Sequence, residues 1–277
     1  MNNVSRPLLR YHGGKYKLAP WIISNFPEHR IYTEVFGGAG SVLLQKEPCY
    51  CEVYNDLDRE VVNLFTTVRQ HGKELIDNLY NTPFSRDEFE LSYLISNEPL
   101  EQARRTIVRS FMGFGSASAS GKKTGFRSNS NRSGTTPAHD WKNFPDALPA
   151  IIDRLRGVVI ENRDYRKVLA SHDSINTLHY MDPPYVLDTR SEGQNTTCYK
   201  FEMTNEQHAE LCKYTLDLIG TVVISGYDNE IYNDLLSGWH KVYRKAFADG
   251  AKERLEVLWI NKLVNQKQIC LFNLNEL

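Results

Sequence analysis

A short strand that runs into a glycine turn and then a helix is the feature that most limits the folds open to this chain. Residues 31–36, IYTEVF, have the β-branched and aromatic content of a buried strand. GGAG follows, and SVLLQKE after it has helix-forming composition and spacing. The alternation continues. YCEVYND at 50–56 reads as a second strand ending in acids, and REVVNLFTTVRQHGKELIDNLY at 59–80 continues as helix, with apolar residues three and four apart. Beyond residue 150 come strands in GVVIENRDY (157–165), TLHYM (177–181), TVVISGYD (221–228) and LEVLWINK (255–262), with a helix around TNEQHAELCKYTLDL (204–218). Strands alternating with helices imply an α/β fold whose sheet is mostly parallel and covered by helices on both faces.

The middle of the chain departs from that alternation. From about Leu64 to Ile151 the pattern is helical and then irregular, and GSASASGKKTGFRSNSNRSGTTPAHD at 115–140 is a long Gly, Ser, Thr and Asn tract. Loops beyond about 15 residues without structure of their own are functional or disordered. Charge points the same way. The net charge of the whole chain is −1, but between Gln102 and Lys142 eight basic residues (Arg104, Arg105, Arg109, Lys122, Lys123, Arg127, Arg132, Lys142) face one acid, Asp140, a local excess of +7. A localised basic footprint on a neutral protein is what phosphate contacts require. The tract therefore reads as a loop or hairpin that orders on an anionic partner; the competing reading is a solvated charged face. Candidate phosphate contacts are Arg10 near the N-terminus and Arg109, Lys122, Lys123, Arg127, Asn129 and Arg132 in and beside the tract.

Two other classes are disfavoured. No apolar run approaches the roughly 18 residues of a membrane span, and MNNVSRPLLR has no apolar leader region, so a cytoplasmic protein is expected. The five cysteines (Cys49, Cys51, Cys198, Cys212, Cys270) have no C-x-x-C spacing, which supports neither a disulfide framework nor a zinc site; buried free thiols and no metal are expected.

The candidate chemistry sits at strand ends. In EVFGGAGSV, Gly37, Gly38 and Gly40 let the backbone approach a ligand and aim helix N–H groups at it. It is not a dinucleotide fingerprint, because the third glycine of G-x-G-x-x-G would fall on Leu43, and no phosphate-binding P-loop exists, since the GGK at 13–15 is followed by Tyr16. Asp56 ends the second strand, 18 residues after Gly38. A carboxylate near that spacing accepts hydrogen bonds from a ribose diol, while a helix cap is the alternative. Asp164 and Tyr165 end a later strand; taken alone they read as a cap and a packed ring. The fourth strand stops at YMDPPY: Pro183 and Pro184 have no N–H with which to extend a ladder and they stiffen the turn that presents Asp182 and Tyr185. That turn lies on the carboxyl side of the sheet, where open α/β sheets bind ligands.

Together YHGGK (11–15), EVFGGAGS (34–41), YND (54–56), DPPY (182–185) and EVLWIN (256–261) occur in the order of the Dam-like family of DNA adenine methyltransferases, which this chain resembles over nearly its whole length. The resemblance implies a Rossmann-like methyltransferase fold, with residues 1–67 and 151–277 forming the catalytic domain and 68–150 an inserted, mainly helical target-recognition domain. It implies S-adenosylmethionine as cofactor, bound by Tyr11, Lys15, Glu34, Phe36, Gly37, Gly38, Ala39, Gly40, Ser41, Asp56, Asp164, Tyr165 and Asp182. Asp182, Pro183, Pro184 and Tyr185 would be the catalytic motif. The amino hydrogens of a flipped-out adenine would be accepted by the Asp182 carboxylate and the Pro183 carbonyl, with the base stacked on Tyr185. Tyr11 stands where Trp is common in the family. As partner the resemblance implies double-stranded DNA, with GATC as the target, the enzyme working as a monomer or weak dimer, alone or beside a cognate restriction endonuclease. The rival readings are a methyltransferase acting on RNA, cytosine or a protein amide, and a non-catalytic DNA-binding regulator.

Overall fold

The computed structural model describes residues 4–115, 117–129, 134–189, 199–247 and 253–262. One seven-stranded sheet organises them: β1 (Ile31–Glu34), β2 (Cys51–Asn55), β3 (Val158–Glu161), β4 (Thr177–Met181), β5 (Thr221–Tyr227), β6 (His240–Phe247) and β7 (Glu253–Ile260). Their order across the sheet is β3-β2-β1-β4-β5-β7-β6. The first five are parallel, and β7 runs antiparallel to both β5 and β6. This is a doubly wound, Rossmann-like architecture. The chain leaves β1 toward β2 and β3 on one side, then returns to place β4 and β5 on the other. β1 and β4 are thus the switch point, where Glu34 lies level with Tyr180 and a crevice opens beyond the strand ends.

Helices cover both faces, as the buried residues show. Along β5, Val223 joins a core with Tyr32, Tyr54 and Tyr180, whereas its neighbours Val222 and Ile224 join another with Val53, Met181 and Trp259. Alternate side chains of a strand point to opposite faces. The first core is closed by α1 (Ala19–Ser24), α2 (Ser41–Gln45), α3 (Arg59–Gln70), α4 (Gly72–Tyr80) and α6 (Pro99–Met112); α9 (Tyr165–His172), α10 (Asn205–Leu216) and α11 (Glu230–Leu235) close the second. α10 begins at a full capping box, in which Thr204 and Gln207 each bond the other's backbone N–H.

The sequence pattern across 59–80 suggests one helix, but the structure has two. His71 leaves helical geometry at φ −127° and ψ 31°, and a Cβ on Gly72 would sit 2.6 Å from the end of Ile152, so the helix turns where α8 (Leu148–Arg154) packs against it. β6 is absent from the sequence reading; it is the outermost strand, and four basic side chains among its eight residues mask the strand pattern.

The intervening segment holds α4, α5 (Arg86–Leu91), α6, α7 (Pro137–Lys142) and α8. Residue 67, the expected boundary, lies inside α3. The first core passes through it without a break, joining Leu8, Leu44 and Phe65 to Ile107, Phe111, Phe144 and Ile151. Where the chain returns to the sheet, Arg154 donates two hydrogen bonds to Glu52 of β2 (2.7 and 2.9 Å) and one to the Leu43 carbonyl (2.7 Å), while Lys46 donates to the same carboxylate at 2.8 Å. All three charged side chains are buried and each has a partner, as burial of charge demands. The tract at 115–140 is shorter as a loop than expected. Arg127 N donates to Met112 O and Phe114 N to Gly125 O, pinching 113–126 into a hairpin-like loop, and α7 starts at Pro137, capped by Thr136.

Candidate active site

The β1–α2 turn is built around two glycines that no other residue could replace without displacement. At Gly37 a Cβ would lie 2.2 Å from the Tyr54 ring; Gly40 adopts φ +61°, and a Cβ there would meet Phe65 at 2.9 Å. Tyr54 and Phe65 stack at 4.0 Å beneath the turn. Gly38 N, thus exposed at the crevice, donates to Asp56 Oδ2 at 2.7 Å, and Asp58 N donates to Oδ1 at the same distance. Burial pushes the Asp56 carboxyl up to about 6, against the pull of those two N–H groups. Glu34, at the end of β1, accepts the Tyr32 hydroxyl (2.7 Å) and Leu43 N–H (2.8 Å) on one oxygen, Oε2. Its burial lifts the carboxyl to about 8.

A single cavity runs from this turn to the end of β4. Of the residues expected to hold a cofactor, Tyr11, Lys15, Glu34, Phe36, Gly37, Gly38, Ala39, Ser41, Asp56, Asp164, Tyr165 and Asp182 all line it. Gly40 does not; it faces Phe65 and supplies the left-handed turn instead. Phe36 and Tyr165 form an aromatic corner with ring centroids 5.4 Å apart. Asp164 does cap α9, accepting Arg166 N at 3.0 Å, and the Arg166 guanidinium beside it holds its carboxyl below the usual range. Cap and cavity wall are the same residue.

At the other end, Lys15 Nζ stands 3.1 Å from Asp182 Oδ2 and donates to the Gly13 carbonyl at 2.6 Å, while Ser225 Oγ donates to Asp182 Oδ1 at 2.8 Å. Burial raises the Asp182 carboxyl, opposed by Lys15. Burial acts to lower the Lys15 ammonium, yet Asp182 and Glu256 outweigh it and the net shift is upward. Pro184 lines the cavity; Pro183 and Tyr185 sit behind it, against Gly226, Tyr227 and Tyr232. The Tyr185 ring is only 9 % exposed: its hydroxyl donates to Glu256 at 2.7 Å, Tyr227 meets it edge-on at 4.5 Å, and the Lys15 ammonium lies over it, 4.5 Å from the centroid. The open stacking plate expected of Tyr185 is therefore covered in this structure.

The basic residues expected to meet DNA divide sharply. Arg109 is a correction: it is 3 % exposed, donates to the carbonyls of Ser92, Ser118 and Ala119, and pairs with Glu60 at 3.4 Å. Arg127 is another, buried with its guanidinium on the Phe111 carbonyl at 2.9 Å. Both brace the hairpin-like loop from inside. Arg104 and Arg105 are likewise taken up by Glu88 and Glu101, so three of the eight cations in the basic stretch are neutralised along α6 by acids the charge count had placed outside its window. Lys122, Lys123 and Asn129 are exposed on the loop, and Arg10 is half-buried, its backbone bonded to Ser110. Arg132 lies outside the described residues.

Sequence reasoning missed the stretch Tyr199–Met203, which closes one side of the cavity. Tyr199 packs on His12 and Tyr11, and Lys200 reaches Asp58 (3.0 Å) and Glu60 (3.5 Å). Its only signal was position, just ahead of the α10 capping box. Ser225 and Glu256 were missed for a different reason: Ser225 meets Asp182 because β5 pairs with β4, and Glu256 meets Tyr185 because β7 pairs with β5.

A doubly wound sheet with a reversed outer hairpin, a glycine turn with an acid beyond the next strand, and Asp182 of the Asp-Pro-Pro-Tyr turn on the same cavity are the features that the methyltransferase resemblance implied. The model of the D12 class N6 adenine-specific DNA methyltransferases matches residues 11–248, and the chain belongs to that family. It is similar to a DNA adenine methylase from Haemophilus influenzae, 26 % identical over 250 residues that span 84 % of this chain and 83 % of that protein. A DNA adenine methylase from Serratia marcescens is 26 % identical over 243 residues (83 % and 86 % of the two chains). A type II methyltransferase from Lactococcus lactis subsp. cremoris is 24 % identical over 251 residues (83 % and 85 %).

Proposed function

We propose that this adenine-specific DNA methyltransferase takes its methyl group from S-adenosylmethionine and places it on the amino nitrogen of an adenine flipped out of duplex DNA. The observation that carries the reading is that one cavity joins Asp56 and the glycine turn to Asp182. The cavity fits a polar nucleoside cofactor. Ser41 Oγ and Asp58 Oδ2 are buried in its wall with no hydrogen-bond partner among the described residues, and the Phe36–Tyr165 corner offers faces for a purine ring. Asp56 would accept the ribose diol, with Tyr11, Glu34, Phe36, Asp164 and Tyr165 completing the enclosure. When bound, the cofactor supplies an electrophilic methyl on a sulfonium centre.

The protein's part is orientation and charge. An adenine amino group is a poor nucleophile because its lone pair is delocalised into the ring. If the Asp182 carboxylate and the Pro183 carbonyl each accept one amino hydrogen, the nitrogen can turn its lone pair toward the methyl carbon. Ser225 fixes the carboxylate at Oδ1. Flipping the base costs a few kcal/mol, which contact with Tyr185 offsets once its ring is uncovered. Residues 68–150 would carry target recognition through the exposed loop bearing Lys122, Lys123 and Asn129, and GATC, which the resemblance implies, is the site to test.

Two measurements check the reading. Asp182→Ala is expected to keep cofactor affinity within about tenfold while abolishing transfer of labelled methyl to DNA; undiminished transfer would remove Asp182 from the mechanism. Modification-sensitive sequencing of DNA from cells expressing this chain alone is expected to show methyladenine within GATC. Methylation at another sequence would refute the target, and methylated cytosine would refute the acceptor.

A further inference from the structure

Lys15 makes the two contacts that the target adenine is proposed to make. Its ammonium lies 3.1 Å from Asp182 Oδ2 and 4.5 Å from the centroid of the Tyr185 ring, so the carboxylate and the ring face are both taken by one cation. A base cannot use either until Lys15 moves. Moving a buried ammonium is costly unless a second counter-charge is at hand. Glu256 is such a group: buried on β7, it accepts the Tyr185 hydroxyl at 2.7 Å and interacts electrostatically with Lys15.

We propose that Lys15 is a place-holding cation in the target-base site, and that Glu256 is a positioning residue that receives its charge when the adenine enters. This rests on the reading of Asp182 as acceptor for the amino group. Before the base arrives, Lys15 keeps Asp182 ionised and Tyr185 covered. As the amino group reaches Asp182, the ammonium shifts toward Glu256, which has held the Tyr185 ring in place through its hydroxyl throughout. No bond is made or broken in this exchange and Lys15 stays protonated; two carboxylates share one cation in turn. The titratable groups facing the pair are Glu34 at the end of β1, Tyr180 on β4, Tyr185 and, on β5, Tyr227, with Arg244 level with Glu256 on β6.

The proposal separates charge from anchoring. Glu256→Gln keeps an oxygen to accept the Tyr185 hydroxyl but removes the charge, Tyr185→Phe removes the anchor but keeps the charge, and Lys15→Met removes the place-holder. The acid limb of the kcat/KM profile reports ionisation in the free enzyme. It is expected to move toward lower pH in Glu256→Gln, where Asp182 loses a like-charged neighbour, and toward higher pH in Lys15→Met, each by roughly one unit. A fluorescent adenine analogue at the target position of the mapped site, read with the intact protein and duplex, is expected to report less flipped base in Glu256→Gln and more in Lys15→Met. Limbs that do not move, or that move in the same direction, overturn the proposal. So does a Tyr185→Phe protein that reproduces the whole Glu256→Gln effect, since anchoring alone would then account for it. If a variant fails to fold by circular dichroism, Glu256→Asp, which keeps the charge, is expected to hold the limb at its original pH; a shift there also overturns it. Asp182→Ala run in parallel tells the two readings apart: activity there removes the acceptor role, whereas inactivity with unmoved limbs removes only the exchange.

Discussion

Glu34 carries the pH dependence that is easiest to isolate. Burial at the end of β1 pushes its folded-state carboxyl up to about 8, from an ordinary glutamate value near 4.5. The folded state therefore holds a proton that the unfolded chain releases first. Stability from this group is fully present below the unfolded pKa and is lost as pH rises through the folded one. At about 1.4 kcal/mol per pH unit, the window from about pH 4.5 to about pH 8 sets an upper bound of about 5 kcal/mol. Glu34→Gln isolates it. The Tyr32 hydroxyl and Leu43 N–H converge on one oxygen, Oε2, which the amide oxygen replaces, and the amide does not titrate. Urea unfolding at a series of pH values is the assay. Wild type should lose stability across the window relative to Glu34→Gln, and the two curves should meet on the acid side. Asp56 and Glu256, both raised by burial, tilt both proteins alike and cancel in the difference, which then reports Glu34 together with its coupling to Asp182. Parallel curves for the two proteins would refute the claim that Glu34 is held protonated.

Two further outcomes follow from packing and charge. Gly37→Ala puts a methyl 2.2 Å from the Tyr54 ring, and should lower the unfolding free energy by roughly 1–3 kcal/mol, measured by denaturant titration, and weaken cofactor binding with it. Lys122→Ala with Lys123→Ala should reduce the slope of log binding constant against log salt by up to about two units at unchanged stability, whereas Arg109→Ala should destabilise the fold by about 2–5 kcal/mol by leaving the buried Ser92 and Ala119 carbonyls without the donor that Arg109 provides.

The parallel half of the sheet was legible because β1, β2, β4 and β5 are buried on both faces and so appear as short apolar runs that end in glycine, acid or proline. β6 was not, since an outer strand with one face toward solvent needs few apolar residues, and its Lys and Arg look like loop. The glycine turn, Asp56 and Asp182 were readable for a similar reason: each is dictated by local backbone geometry at a strand end. Lys200, Ser225 and Glu256 are not local. They reach the cavity through pairings of distant segments, which a linear pattern does not carry. The charge count failed on Arg109 because it weighed residues by proximity in sequence, while the acid that pairs with it, Glu60, lies on α3.

The apolar core that passes from Leu44 and Phe65 into Ile107 and Phe144 binds the proposed target-recognition segment to the sheet as one folding unit. A segment that shares its interior with the sheet cannot be exchanged whole without rebuilding that core and the Arg154–Glu52 pairing that closes it. The loop between Gly113 and Phe126 is where side chains can change at little structural cost, since Lys122 and Lys123 are exposed while Arg109 and Arg127 keep its base fixed.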